Sequence, residues 1–169
     1  MTPPADRWPS APTPTLPVQV LDHRRSEVAA AIHQVLVVAY AQEAQLLGAQ
    51  HFPALQRTPL QIQASADFHL GVWRDSELLG VLSIGPDDEP DQLCIGLLVV
   101  HPRAQRQGIG RQLLRAALQR GPGMVFAVAT GARNAPALAL YQEQGFAVYR
   151  HGAVGAENLP LVKLRRPPG

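Results

Sequence analysis

Residues 97–114 read LLVVHPRAQRQGIGRQLL, and the order of their parts decides the fold. A β-branched apolar run ends at Val100, and the chain turns through His101 and Pro102. A segment rich in Arg and Gln then leads to Gly108-Ile109-Gly110. From there Ile109, Leu113, Leu114, Ala117 and Leu118 recur at helical spacing. The pattern predicts a strand, a basic glycine-bearing loop and a helix over residues 108–120. The first amides of a helix have no partner in their own turn, and the helix dipole adds partial positive charge beside them. Such an end takes an anion, most often phosphate.

Two common phosphate loops do not match. The dinucleotide fingerprint needs a third glycine where Leu113 stands, and the Walker loop needs Lys and Ser or Thr where Arg111 and Gln112 stand. A second block begins at Asn134. Asn caps helices, Pro136 is tolerated in a first turn, and Gly145 can end the helix in a left-handed conformation. The apolar run 124–129 between the blocks reads as a buried strand.

The segment Gln105-Arg106-Gln107-Gly108-Ile109-Gly110 resembles the Q/R-x-x-G-x-G/A signature of the GNAT superfamily of acyl-CoA N-acyltransferases. Asn134, Ala137, Tyr141 and Gly145-Phe146 resemble that family's later block, N-x-x-A-x-x-x-Y-x-x-x-G-F. The likeness covers residues 68–150 well and the flanks loosely. It implies an α/β (α+β) fold with a mixed, mostly antiparallel sheet of six to seven strands and helices on both faces. The strands ending at Val100 and near Ala129 should splay apart, and the pantetheine arm of acetyl-CoA should enter the gap. By resemblance, Leu98 and Val100 offer backbone contacts, the Val100 N–H to the oxyanion. Gln105, Arg106, Gln107, Gly108, Ile109, Gly110 and Arg111 grip the pyrophosphate, with Arg103 a further candidate. Asn134 touches the pantetheine or caps its helix. Tyr141 is expected to protonate the leaving CoA sulfur, since a phenol holds its proton at neutral pH.

The implied activity is acetyl transfer from acetyl-CoA to a primary amine of a small molecule, peptide or protein, without a metal. The competing reading is an acyl-CoA-binding sensor or interaction module that has lost catalysis. It is favoured by a departure from the better-understood relatives, many of which carry Glu on the central strand. Here Leu93-Cys94-Ile95-Gly96-Leu97 holds no carboxylate. Candidate bases are His69, His101, Asp67 and Glu43. Cys94 reads as a buried hydrophobe rather than a nucleophile. In such folds the first two helices and the last strands line the acceptor pocket, which points to Tyr40, Glu43, His51, Phe52, Tyr149 and His151.

Composition bounds the alternatives. At 169 residues and 46% hydrophobic, the chain suits one domain with a substantial core. One cysteine excludes an internal disulfide and a Cys-based zinc site. Net charge is only +2 and the Arg residues are scattered, which argues against nucleic acid as a partner. No apolar run is long enough to cross a bilayer. Residues 1–17 carry repeated Pro and no apolar signal core, so they read as a flexible arm before a single domain at 18–166, in a cytoplasmic protein. A homodimer is left open.

The remaining elements follow from periodicity and turn residues. A first strand is expected at 18–21 and a helix at 26–40. After a kink, a second helical stretch runs to residue 47, stopped by Gly48. A short helix follows Pro59. A hairpin pairs 68–73 with 78–84 around 74–77, and 85–91 is an acidic turn. Residues 93–100 should be a strand buried on both faces. Strands near 146–150 and 159–164 close the chain.

Overall fold

The computed structural model describes residues 15–51 and 57–169. Its elements are β1 (Val18–Val20), α1 (Ser26–Leu47), α2 (Pro59–Ala64), β2 (Phe68–Arg74), β3 (Glu77–Pro86) and β4 (Gln92–Val100). A short 3-10 turn, Pro102–Ala104, leads to α3 (Ile109–Arg120), β5 (Val125–Gly131), α4 (Ala135–Glu143), β6 (Ala147–Val154) and β7 (Leu159–Arg166). The seven strands form one sheet in the order β1-β2-β3-β4-β5-β7-β6. All neighbours are antiparallel except β4 and β5. This is the expected mixed sheet.

Two layers of core flank it. On one face Leu113, Leu114 and Ala117 of α3 pack on Leu82, Phe126, Val128 and Leu164. On the other, Ile32, Val35, Leu36 and Ala39 of α1 meet Val81, Leu97 and Val99. Leu16, at the end of the proline-rich segment, packs against the α3 side, and its carbonyl accepts from Gln112.

Two expectations need correction. The first helix has no kink: α1 runs unbroken for 22 residues and ends at Gly48 (φ 68°), whose N–H bonds back to Gln45. Ala, Gln, Glu and Leu fill the stretch after Tyr40, and all sustain a helix. The central strand is not buried on both faces either. Gly96 is exposed, and Leu98 and Val100 are half-buried. The cause is the sheet itself. β4 and β5 pair only over Gln92–Ile95 and Val125–Val128, then part. A bulge at Gly96, where β4 slips one residue against β3, marks the point of departure.

Candidate active site

The gap opened by the parting strands is a cleft of about 620 Å3. Its floor is the free edge of β4. The N–H of His101 points to β3, bonding Leu79 O at 2.7 Å. Strand alternation therefore turns the N–H and C=O of Val100 and Leu98 the other way, into the gap. Val100 O is held there by Gln105 Nε2 at 3.2 Å. The same Nε2 donates to Gln42 Oε1 at 2.6 Å, tying helix α1 to the loop before α3.

At the mouth stands the start of α3. Its N-cap, Gly108, adopts φ 82° and offers no side chain to the helix. The first helical bond runs from Gln112 N to Gly108 O at 3.0 Å, so the amides of 109–111 precede any internal partner. An uncapped helix start beside arginines is an anion site. Arg106, itself at φ 61°, and Arg111 line the cleft with Gly108, Ile109 and Gly110. Arg111 Nε also pairs with Glu143 at 2.9 Å. Gln107 turns instead toward β2, accepting from Arg74 at 3.2 Å, and Arg103 pairs with Glu77 at 2.6 Å.

Helix α4 forms the far wall. Asn134 Oδ1 accepts from Ala137 N at 3.3 Å, the expected cap, and Gly145 takes φ 91° after the helix end. The Asn134 side chain also favours the charged form of Glu43 on α1. Tyr141 is 5% exposed, with its ring edge against Phe146 at 5.6 Å. Burial pushes its phenol well above the usual range, and Tyr40, Glu43 and Cys94 add to the effect. Tyr40 is raised to about 12, first by burial and then by Glu43. Burial likewise raises the Glu43 carboxyl, outweighing the opposite effect of Asn134. Tyr40, Glu43, Asn134 and Tyr141 thus meet across the gap, and all but Tyr40 line the cleft itself.

Other candidates are placed elsewhere. Phe52 lies outside the described residues. Tyr149, on β6, lies under the Arg165 guanidinium at 4.4 Å and donates to Glu89 at 3.3 Å. His51 is exposed. His101 Nδ1 accepts from Arg103 N and caps the 3-10 turn. His69 is 2% exposed and stacked on His23 at 4.1 Å. Burial, then His23, pushes its pKa down. Cys94 is pushed up to about 11 by burial and then by Asp87, which leaves it protonated and inert.

A second cavity of about 290 Å3 lies at the closed end of the gap, walled by Asp87, Asp88, Cys94, Ala129, His151 and Lys163. Lys163 Nζ donates to both Asp87 oxygens, at 2.8 and 3.1 Å. Sequence reading missed this pair and the Gln42–Gln105 tie. The only signal for the first was that Lys163 is the sole lysine beside fourteen arginines; the second links residues far apart in the chain.

Comparison with known proteins bears on the same features. The family model described as Acetyltransferase (GNAT) family matches residues 23–146, from the segment before α1 to Phe146 after α4. A Bacillus subtilis protein, UPF0157 protein YqkA, is 35% identical over 76% of this chain and 37% of its own length. The Escherichia coli peptidyl-lysine N-acetyltransferase YiaC is 37% identical over 44% of this chain and 47% of its own. The chain thus spans under half the length of these curated relatives. Among solved structures, the Escherichia coli ribosomal-protein-S18-alanine N-acetyltransferase superposes with TM-score 0.68 at 17% identity, over 90% of this chain and 94% of that one. The PaiA N-acetyltransferase of Thermoplasma acidophilum, solved with coenzyme A, gives 0.70 at 13% identity, over 91% and 99%. Parted central strands, the uncapped helix start and the Asn134-to-Phe146 block all fall within the matched span, and on that ground the chain belongs to the GNAT acetyltransferase family.

Proposed function

We propose that this chain is an N-acetyltransferase that moves the acetyl group of acetyl-CoA to a primary amine. The observation that carries the reading is the single cleft joining three features. These are the uncapped start of α3, the free edge of β4 and the buried Tyr141 hydroxyl. The amides of 109–111, Arg106 and Arg111 suit a pyrophosphate, while the Leu98 and Val100 backbone suits an amide-bearing arm. The Val100 N–H suits the oxyanion that develops on the thioester carbonyl.

Tyr141 is the acid. Its raised pKa keeps the phenol protonated through the physiological range. A thiolate leaving into buried surroundings is more basic than one in water, which favours the transfer. Glu43 beside Tyr141 discourages phenolate formation further. YiaC is named for peptidyl-lysine and the S18 enzyme for an alanine of ribosomal protein S18. Peptide amines are therefore the first acceptors to try.

The test is CoA release from acetyl-CoA, with a lysine peptide, a peptide with a free N-terminal alanine, and spermidine as acceptors. Turnover on at least one is expected. Tyr141→Phe should lower kcat by about 10²-fold with little change in acetyl-CoA affinity. An unchanged kcat would leave Tyr141 as a packing residue. The second reading, a binding module without turnover, is favoured by the carboxylate-free β4; tight CoA binding with no turnover on any acceptor would establish it.

A further inference from the structure

We infer that Asp67, delivered by the start of β2, is the base that takes the acceptor amine's proton, standing in for the carboxylate that β4 lacks. The inference rests on the transferase reading above. Its ground is a niche in the sheet. Gly85 of β3 and Gly96 of β4 lie under the Asp67 carboxylate. A methyl group at Gly85 would sit 2.1 Å from Oδ1, and one at Gly96 would sit 3.1 Å from Oδ2. Two neighbouring strands thus lack a side chain where this carboxylate lies. Ser83 Oγ, 1% exposed, donates to Oδ2 at 3.5 Å and fixes it from below.

The niche is also in the right place. Gly96 is the exposed bulge at which β4 leaves β5, so the carboxylate lies against the strand at the point where the gap begins. Cys94 pairs with Gly85 across the strands, and its thiol feels the charge of Asp67. Asp67 therefore reaches, from two strands away, toward the part of β4 that holds Cys94. The other candidates are worse placed. His69 is sealed against His23, His101 caps a turn, and Glu43 already acts on the Tyr141 proton donor. Groups that titrate around Asp67 are Cys94 on β4, Asp87 and Asp88 in the β3–β4 turn, and His69 with His23. Arg57 and Lys163 act on the same set.

The acceptor arrives as an ammonium, and removing it from water weakens its hold on its proton. Asp67 takes that proton and passes it to solvent. The freed nitrogen lone pair forms the C–N bond, and the C–S bond breaks with its electrons on sulfur. Sulfur takes a proton from Tyr141, and the second nitrogen proton restores the phenol. One proton is released per turnover.

The experiment uses the full chain, acetyl-CoA and whichever of the three acceptors turns over best. Asp67→Asn should lower kcat at least 30-fold, leave acetyl-CoA Kd and the thermal midpoint within error, and abolish the acid limb of the kcat/KM profile. In that background Cys94→Glu should restore at least tenfold of the loss and bring back an acid limb. A purely structural Asp67 predicts neither change. Undiminished kcat in Asp67→Asn overturns the assignment. So does an acid limb that survives Asp67→Asn and vanishes in Glu43→Gln, which would make Glu43 the base. Absence of turnover by the unaltered protein on all three acceptors would instead sink the transferase reading, and this inference with it.

Discussion

At the residue scale, the Asp87–Lys163 pair shows how a charge is kept inside this sheet. The side chains are 3% and 11% exposed. Burial alone would raise the Asp87 carboxyl, yet hydrogen bonds from Lys163 and from the Glu89 amide hold it below the usual carboxylate range. Burial would lower the Lys163 amine, and the bonds to Asp87 outweigh it. The pair's contribution is thus complete between the two ordinary pKa values. It is lost in acid as the depressed Asp87 protonates, and in alkali as the raised Lys163 deprotonates. Removing one partner strands the other. Lys163→Met should cost about 3 kcal/mol in chemical denaturation, whereas Lys163→Met with Asp87→Leu should recover most of it. Equal loss in both variants would mean that the cavity wall, not the charge, is at stake.

At the element scale, the start of α3 depends on backbone more than on side chains. Nothing lies within 4 Å of where a methyl group on Gly108 would sit, so a substitution there meets no clash, only the cost of φ 82°. Gly108→Val should therefore destabilise by about 1–3 kcal/mol and distort the amides of 109–111. Acetyl-CoA affinity should fall at least tenfold by calorimetry. Unaltered affinity would move the phosphate site elsewhere. This loop was legible in the sequence because glycine spacing, a cap and a helical stripe are all local signals. So were the hairpin at Arg74–Glu77 and the helix from Asn134. The unbroken α1 was not, because Tyr40 and the residues after it give no sharper signal for a bend than for continuation. Asp67 was legible only as one of four candidate bases, since nothing near it in sequence reveals that glycines of two other strands clear its space. The surroundings of Tyr149 were not legible for a similar reason. Its position on β6 was foreseeable, but its cover of arginine depends on β7 and the β3–β4 turn.

At the scale of the whole molecule, the sheet is two half-sheets, β1 to β4 and β5-β7-β6, joined by four residue pairs between β4 and β5. Helix α1 crosses the opening above them. Leu47 packs so closely on Gly131 that a methyl there would lie 2.8 Å from its Cδ2, and Gln50 N–H bonds Glu157 beyond β6 at 3.1 Å. A ligand pairing with the free edge of β4 braces the halves. At 100 times its Kd, CoA should add about 2.7 kcal/mol and raise the thermal midpoint by about 5–11 °C. Hydrogen exchange should slow at the Leu98 and Val100 amides in the same sample. A midpoint shift without that protection would indicate binding away from β4.

The sole lysine has a consequence for measuring this chemistry. Amines acquire acetyl groups from thioesters without help only when neutral and accessible, and Lys163 is neither, being held as an ammonium under Asp87. The protein's side chains thus present no competing ε-amine. Isotopic acetyl label that appears on a peptide will report transfer to that peptide, with no ε-amine of this chain competing for it.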